Sequence, residues 1–156
     1  MAGIPYDKAL ERISRICSRQ EKCSHDVKEK LQSWKVKETD IHKILQWLQE
    51  RKFVDDGRYA RAYVWNQHHF RKWGRIRIRL MLRQKKIPEE VIDKAMERID
   101  EKEYRVILKN ELKRKRKTLN PKNRYDLMSR LQRFACSKGY EAELVRKVME
   151  EVINNE

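Results

Sequence analysis

The residues with the clearest chemical purpose in this sequence are two runs of lysine and arginine. The stretch from Arg71 to Lys86 holds eight basic residues and no acidic one, and the stretch from Arg105 to Arg124 holds nine with Glu111 as its single acid. Together the two runs account for the whole excess of positive charge in this chain, whose net charge is +15. Charge placed in this way predicts a polyanionic partner, either a nucleic acid or an acidic protein groove. The alternative is a solvated basic face that maintains solubility.

The first run has helical spacing. Its members at intervals of three and four, which share one side of a helix, are Lys72, Arg75, Arg79, Arg83 and Lys86. Arginine can bind phosphate or carboxylate through two parallel hydrogen bonds, so we expect this stripe and Arg77 beside it to follow an anionic surface. Trp73 could stack on a base or pack beneath arginine stems, and we favour packing.

The second run contains five consecutive basic residues, Lys113, Arg114, Lys115, Arg116 and Lys117. Successive side chains of a helix are about 100° apart, so these five surround their helix. We expect them to attract a polyanion over a distance rather than to make directed contacts.

A catalytic or metal site is poorly supported. The four histidines are scattered, and His68 and His69 lie about 100° apart on a helix, unlike metal ligands at positions i and i+4. The sequence has no glycine-rich phosphate loop, Cys-x-x-Cys pair or nucleophile elbow. We predict no catalytic residue, no metal site and no cofactor.

The segment from Phe53 to Val64 opens a helix. Asp55 or Asp56 can cap the free N–H groups of that helix and interact with its positive end, and we interpret the pair as caps rather than catalytic carboxylates. An apolar face then follows at helical spacing, which we expect in the core of a middle unit, and it consists of Tyr59, Ala60, Tyr63 and Val64.

The composition that positions these residues is all-helical. Only four glycines and three prolines occur in 156 residues, and apolar residues recur at intervals of three and four. The segment 75–80 alternates basic and apolar residues, which is a strand signature. On a helix, however, Ile78 and Leu82 share one side while Ile76 and Leu80 form another, and we predict a helix packed on two sides.

The helices form an internal repeat. Seven apolar positions of the first unit are Val27, Leu31, Val36, Ile41, Ile44, Leu45 and Leu48. A step of 51 residues brings them onto a second apolar set, Ile78, Leu82, Ile87, Ile92, Ala95, Met96 and Ile99. A further step of 53 residues brings these onto a third, Leu131, Ala135, Tyr140, Val145, Val148, Met149 and Val152. We predict three tandem three-helix repeats over residues 1–53, 54–99 and 100–156.

The three predicted turns hold Lys35, Lys86 and Gly139 at the same position. Helices often end there in the left-handed conformation that glycine favours. The two lysines either adopt it at a cost of roughly 1 kcal/mol each or use another cap.

The motif of Asp55, Asp56, Arg58, Tyr59, Ala60 and Tyr63 resembles the helix-opening motif of the RecX family, bacterial regulators of the recombinase RecA. Weaker likenesses extend over essentially the whole chain, at Ser24-x-x-Val27-x-x-Lys30-Leu31, at Gly74 with the Arg-Ile pairs, and at Gly139-Tyr140. The resemblance implies three tandem three-helix repeats in an elongated, curved module. It also implies binding in the groove of the RecA–DNA filament, which blocks filament growth and inhibits strand exchange, ATP hydrolysis and the coprotease. Lys35 and Lys86 depart from the family's usual glycine.

We therefore expect a cytoplasmic regulator that is not an enzyme, with reduced cysteines, no membrane span and a monomeric state. Its expected partners are the RecA filament and, where contacted directly, DNA. The alternatives are a general nucleic-acid-binding helical repeat protein and, more remotely, a small nuclease. Base-specific reading by a helix-turn-helix is poorly supported, because the relevant helices lack clustered asparagine or glutamine. The sequence leaves open whether RecA is inhibited or tuned, and which repeat dominates binding.

Overall fold

The computed structural model of the chain describes residues 3–154, and the regular structure in that range is entirely α-helical. The helices are α1 (Tyr6–Arg19), α2 (Ser24–Ser33), α3 (Glu38–Glu50), α4 (Asp56–His69), α5 (Arg75–Gln84), α6 (Glu89–Met96), α7 (Glu101–Thr118), α8 (Arg124–Ser137) and α9 (Ala142–Asn154). The predicted all-helical class is confirmed. The alternating segment 75–80 lies in α5 and is helical.

One compact unit contains the described residues up to Ala62 together with Leu82–Ala95. Its core lies mainly among α1, α2 and α3, whose apolar residues at helical spacing turn inward. The largest buried members are Ile13, Leu31, Ile41, Ile44 and Leu48, each no more than 1% exposed.

The other compact unit contains Tyr63–Met81 and the described residues from Met96 onward. Its core is formed chiefly by α7, α8 and α9, with buried Tyr104, Leu108, Leu112, Leu131 and Tyr140. The three boundaries between the two units fall inside α4, inside α5 and before the last residue of α6, so they differ from those of the three sequence repeats. The division into repeats at 1–53, 54–99 and 100–156 stays a prediction.

The apolar positions that the repeat overlays are core positions. All are buried except Leu45, Met96 and Ile99, which are half-buried. The recurring spacing therefore identified a buried side correctly for each helix that the overlay covers.

The turns after α2, α5 and α8 have the same backbone geometry. Lys35, Lys86 and Gly139 have φ angles of 58°, 60° and 99°. After α2, the N–H of Val36 donates to the carbonyl of Leu31 at 3.1 Å and the N–H of Lys35 donates to that of Gln32 at 2.9 Å. The same pair of hydrogen bonds closes α5 and α8. This is the Schellman arrangement, and the lysines adopt the left-handed conformation rather than a different cap.

Two expectations about burial are wrong. Ile76 and Leu80 are 55% and 52% exposed, because α5 packs only on the side of Ile78. In α4, Ala60 and Val64 are buried, but both predicted core tyrosines, Tyr59 and Tyr63, are only half-buried.

The start of α5 lies against the end of α8, within the second unit. The N–H of Gly74 donates to the carbonyl of Lys138 at 2.7 Å, and the N–H of Ile76 donates to that of Gly139 at 3.0 Å. A Cβ atom on Gly74 would lie 2.3 Å from the carbonyl carbon of Gly139, so only glycine fits this backbone contact. The contact thus fixes where α5 begins.

Candidate anion-binding surface

The family-like motif at the start of α4 is structural. The Asp55 carboxylate accepts from the N–H of Arg58 at 3.0 Å, and this bond holds the pKa of the Asp55 carboxyl below its usual value. The Asp56 carboxylate instead accepts from the N–H of Ser24 at 2.8 Å, at the first residue of α2. The Arg58 side chain binds Glu21 at 2.7 Å. These residues join α4 to the start of α2, as capping and tethering groups rather than catalytic carboxylates.

The predicted basic stripe divides between the two units. Lys72, Arg75, Arg77 and Arg79 belong to the second unit, whereas Arg83 and Lys86 belong to the first. The five consecutive basic residues 113–117 lie on α7 in the second unit. Each group is considered in its own unit below.

Arg75, a member of the stripe that we expected to follow an anionic surface, is instead bound by carboxylates of its own unit. One guanidinium nitrogen lies 3.1 Å from Glu141 Oε2, another contacts Glu101, and the group lies 3.9 Å from the Tyr104 ring centroid. The side chain is only 29% exposed. Its structural role is therefore to bind two carboxylates across an aromatic ring.

Tyr104 is the buried centre of this cluster. Its hydroxyl accepts from the N–H of Arg75 at 3.0 Å and donates to Glu141 Oε1. Burial raises the pKa of the Tyr104 hydroxyl, so it remains a donor. The ring packs 5.1 Å from the rings of both His68 and Tyr140.

His68 is buried and neutral. The carbonyl of Trp73 lies 3.0 Å from His68 Nδ1 and can only accept, so Nδ1 carries the proton. Among the described residues, nothing hydrogen-bonds to the buried Nε2. Burial lowers the pKa of the imidazole.

Arg77 is exposed on the surface of the second unit. Its guanidinium lies 4.0 Å from the Trp73 ring centroid, and that of Arg71 lies 5.6 Å from it. Trp73 itself is only 8% exposed, so the prediction that it packs beneath arginine stems is confirmed. The ring supports the exposed cations and is itself too buried to stack on a base.

The basic residues of α7 do point in several directions. Arg114 contacts the buried carboxylate of Glu111, Lys115 Nζ lies 5.1 Å from the Phe134 ring centroid, and Arg116 donates to the carbonyl of Val152 at 3.3 Å. Lys113 and Lys117 are exposed. Beside this run is a cleft of about 310 Å³, lined by Lys72, Ile107, Asn110, Glu111 and Arg114.

In the first unit, the basic residues at the end of α5 have acidic neighbours. Arg83 binds Glu89, and Lys85 Nζ lies 2.7 Å from Asp26 Oδ1. This bond to Asp26 raises the pKa of the Lys85 ammonium. Lys85 and the exposed Lys86 line a cleft of about 430 Å³ with His25, Lys28 and Glu29. Arg83 and Lys85 are therefore each already paired with a carboxylate of the first unit.

The sequence stripe missed several basic residues of these surfaces. Arg71 and Lys85 lie inside the first run but were not counted in the stripe, so the run was the better signal. Lys138 was missed, and it lies 3.6 Å from the buried Glu111. The signal was Glu111 itself, because a single acid within a strongly basic run is a candidate buried ion-pair partner.

Within residues 3–154, no three histidine, cysteine, aspartate or glutamate residues lie together as a metal site would require. Over the same range, no helix combines the length and the apolar character that a membrane span needs. Cys17, Cys23 and Cys136 are all free thiols. Burial raises the pKa of the Cys23 thiol to about 12, which makes it a poor nucleophile at neutral pH.

Replacing Arg75 with alanine should lower the free energy of unfolding by about 2 kcal/mol, because it leaves the carboxylates of Glu101 and Glu141 without their shared cation. Urea unfolding measures this. The matched control is Arg83→Ala, which removes an exposed arginine of the same helix paired with Glu89 and should leave the midpoint almost unchanged. Equal shifts for the two variants would contradict the structural role of Arg75.

The unfolding free energy should fall as the pH drops below about 6.5, in part because of His68. Its pKa is lower in the folded than in the unfolded state, so the unfolded chain takes up the proton first. The stability that neutral His68 supplies is present above the unfolded pKa and is lost on acidification. His68→Asn, which keeps a donor for Trp73, should flatten the profile from pH 7 to pH 5. The exposed His42→Asn should not, and identical profiles for the two variants would refute the assignment.

Comparison with known proteins gives a consistent result. The family model for the second three-helix domain of RecX matches residues 55–96. Regulatory protein RecX of Clostridium botulinum (strain Eklund 17B / Type B) is 33% identical over 153 residues, which is 96% of this chain and 70% of that protein. Regulatory protein RecX of Clostridium tetani is 29% identical over 95% of this chain and 68% of that protein.

Solved structures have the same fold. The crystal structure of RecX from Lactobacillus salivarius superposes with a TM-score of 0.82 over 94% of this chain and 96% of that chain, at 19% identity. A further crystal structure of a regulatory protein RecX gives a TM-score of 0.80 over 97% of this chain and 72% of that chain, at 25% identity. With sequence similarity and fold agreeing over nearly its full length, this chain belongs to the RecX family of regulatory proteins.

Proposed function

We propose that this chain binds in the groove of the RecA–DNA filament and inhibits or modulates its recombinase, ATPase and coprotease activities in DNA repair. Membership of the RecX family supports a regulatory role, and the resemblance of the motif at Asp55 and Asp56 suggests RecA as the target. Acting on RecA requires the cytoplasm, and we propose that the chain acts there as a monomer without catalysis.

The observation that carries the proposal is the placement of exposed positive charge. The two basic runs supply the whole net charge of the chain, and in the second unit Arg71, Arg77, Lys113 and Lys117 are exposed. Arg114, although it contacts Glu111, is 70% exposed. A filament built on DNA presents a dense row of phosphates, and cations that neutralise phosphates release counterions. An exposed basic surface of this kind is suited to such a partner.

The basic residues contribute in two ways. Lys113 and Lys117 are exposed lysines that attract the filament through the long-range field. Arg77 is pre-oriented by Trp73, which lowers the entropy lost when its guanidinium edge binds phosphate or carboxylate. Arg75, by contrast, is already bound by two carboxylates and makes its main contribution by holding α5.

The direct test is the DNA-dependent ATP hydrolysis of RecA, measured with and without this protein. A dose-dependent fall in hydrolysis supports the proposal, and an unchanged rate at saturating protein would refute inhibition. Filament binding measured in parallel would distinguish a protein that binds and tunes RecA from one that does not bind.

Reversing the charge of Lys113 and Lys117 together to glutamate should raise the concentration needed for half-inhibition by roughly tenfold, because it removes exposed charge from the proposed surface. The control is Lys8→Glu with Lys43→Glu, which reverses two exposed lysines outside both runs and changes the net charge equally. We expect the control to inhibit nearly as wild type does. Equal loss in both pairs would mean that net charge, not its placement, determines binding.

The second candidate is a general nucleic-acid-binding helical repeat protein, which the same basic surface favours because it requires no recombinase. Binding to naked DNA would then weaken with salt, with a slope of about 0.9 per phosphate contact. Tight, salt-sensitive binding to naked DNA with no effect on RecA would support this candidate over the first.

A further inference from the structure

Two aromatic side chains at the end of α4, Trp65 and Phe70, are exposed on the second unit, and we call them the aromatic pair. They are 56% and 74% exposed. Trp65 belongs to the last turns of α4, and Phe70 directly follows the last residue of that helix. Aromatic rings normally bury large areas of apolar surface. Two of them left in water within two helical turns form a surface feature that packing inside the unit does not explain.

Trp65 is held on one face of its ring. The indole stacks on the imidazole of His69, with ring centroids 3.7 Å apart and an interplanar angle of 27°. That imidazole is fixed in turn, because Nδ1 lies 3.0 Å from the carbonyl oxygen of Trp65 and Nε2 contacts the Glu103 carboxylate. The indole therefore rests on a ring that is bound at both nitrogens. Its other face and outer edge remain for a flat ligand, whose binding would cost little side-chain entropy.

Positive charge adjoins the aromatic pair. Arg71 directly follows Phe70 and is exposed, and no carboxylate in the described part of the chain pairs with it. Residues 57–88 include no acidic residue. The carboxylate of Glu103, on α7, is already bound to His69. A polyanion that approaches the aromatic pair is therefore attracted by Arg71 and meets no carboxylate from α4 or α5.

Single-stranded DNA presents both kinds of group that this surface can bind. Each nucleotide has a flat base and a phosphate, and unpaired bases stack on aromatic side chains while phosphates bind arginine. A duplex covers the faces of its bases within its own stack. A protein partner would have to supply an apolar recess and a carboxylate from separate residues, whereas one nucleotide supplies both chemistries. Exposed aromatic rings next to an exposed arginine therefore favour an unpaired strand.

We propose that the aromatic pair is a stacking platform for unpaired bases of single-stranded DNA, with Arg71 binding the phosphate backbone beside it. This inference rests on the proposed function, because it takes the DNA of the filament as the ligand of this surface. From the sequence, Trp73 was the aromatic residue considered for stacking on a base. Trp73 is 8% exposed, whereas the rings of the aromatic pair are open to solvent.

The test compares two fluorescently labelled probes of equal length, an oligodeoxythymidylate and an abasic oligonucleotide, which carry the same phosphates and differ in having bases. Fluorescence anisotropy at one salt concentration measures the binding. The wild-type chain should bind the thymidylate probe at least about tenfold more tightly, because stacking contributes roughly that factor per base. In the double variant Trp65→Leu with Phe70→Leu, which keeps apolar side chains of high helix propensity, the two affinities should become equal.

Two control variants separate stacking from other effects of substitution. Tyr125→Leu removes an 80% exposed ring of the same unit, which lies between Asp126 and Arg124, whose guanidinium donates to Asn154. This variant should keep the wild-type preference for the thymidylate probe. Trp65→Phe with Phe70→Tyr keeps both rings aromatic and should also keep the preference, although both side chains have changed.

Circular dichroism should give melting midpoints close to that of wild type for all these variants, since the replaced rings are mostly exposed. If the double variant nevertheless melts early, Phe70→Leu alone changes only the more exposed ring. It should still lower the preference for the thymidylate probe, and an unchanged preference in that variant would count against the platform.

Equal binding of the two probes by wild type would overturn the proposal, because the chain would then contact only the backbone. A double variant that keeps the full preference would overturn it as well, because other side chains would then hold the bases. Loss of binding to RecA without DNA, at unchanged affinity for the thymidylate probe, would assign the aromatic pair to a protein contact instead. A wild-type dimer that the double variant dissociates would assign it to a second copy of this chain.

The inference and the proposed function can fail separately. A base preference that depends on the aromatic pair, with RecA ATP hydrolysis unaffected by the chain, would refute the proposed function and leave a general single-strand-binding protein. Inhibition of RecA by a wild-type chain that shows no base preference would refute only the stacking platform.

Discussion

The contact between Gly74 and Gly139 determines how the basic helix α5 is held. These two backbones approach so closely that a Cβ atom on either glycine would lie 2.4 Å or less from an atom of the opposing segment. Because they do, the carbonyls of Lys138 and Gly139, just after α8, accept from the N–H groups of Gly74 and Ile76, which satisfies donors at the start of α5. The same approach brings the N–H of Arg75 to the Tyr104 hydroxyl.

The basic residues of the second unit have two different roles: some are bound within the unit, and others are exposed to solvent. Arg75 lies where α5 starts and is bound by Glu101 and Glu141 over the Tyr104 ring, so its charge is used within the second unit. Beyond that first residue, Ile76, Arg77 and Leu80 of α5 are exposed to solvent. The basic residues of α7 divide similarly, since Arg114 contacts the buried Glu111 whereas Lys113 and Lys117 extend into water. The cations available to a partner are therefore fewer than the composition suggests.

Much of the fold could be predicted from the sequence, because helix formation and inward packing are governed by local spacing. The overlay of apolar positions found nearly all the core, and the turn position held by Gly139 was recognised together with its lysine counterparts Lys35 and Lys86. The capping function of Asp55 was equally local. These features depend on residues within a few positions of one another, which is the range over which periodicity and capping rules operate.

The candidate site was predicted less completely, because its geometry depends on residues far apart in the chain. A stripe at three-and-four spacing shows which side chains share a side of α5, but it cannot show that Glu141 approaches Arg75 from 66 residues away. The exposure of Ile76 and Leu80 was missed for the same reason, since spacing alone does not reveal whether a second apolar side has a neighbour. Nor could spacing show that Asp56 reaches back to the N–H of Ser24.

The most direct test of this account is the free energy of unfolding of Gly74→Ala, measured in urea against Gly57→Ala as the control. A Cβ atom on Gly74 would meet backbone atoms of Gly139 and Tyr140 at 2.3–2.4 Å, whereas on Gly57 it would meet only side-chain atoms, Arg61 Nη1 and Asp55 Oδ1, at 3.3 Å. We predict that Gly74→Ala lowers the unfolding free energy by at least about 2 kcal/mol. Gly57→Ala, in the first turn of α4, should be neutral or slightly stabilising. Equal stability of the two variants would contradict the claim that the glycine contact holds α5 in place.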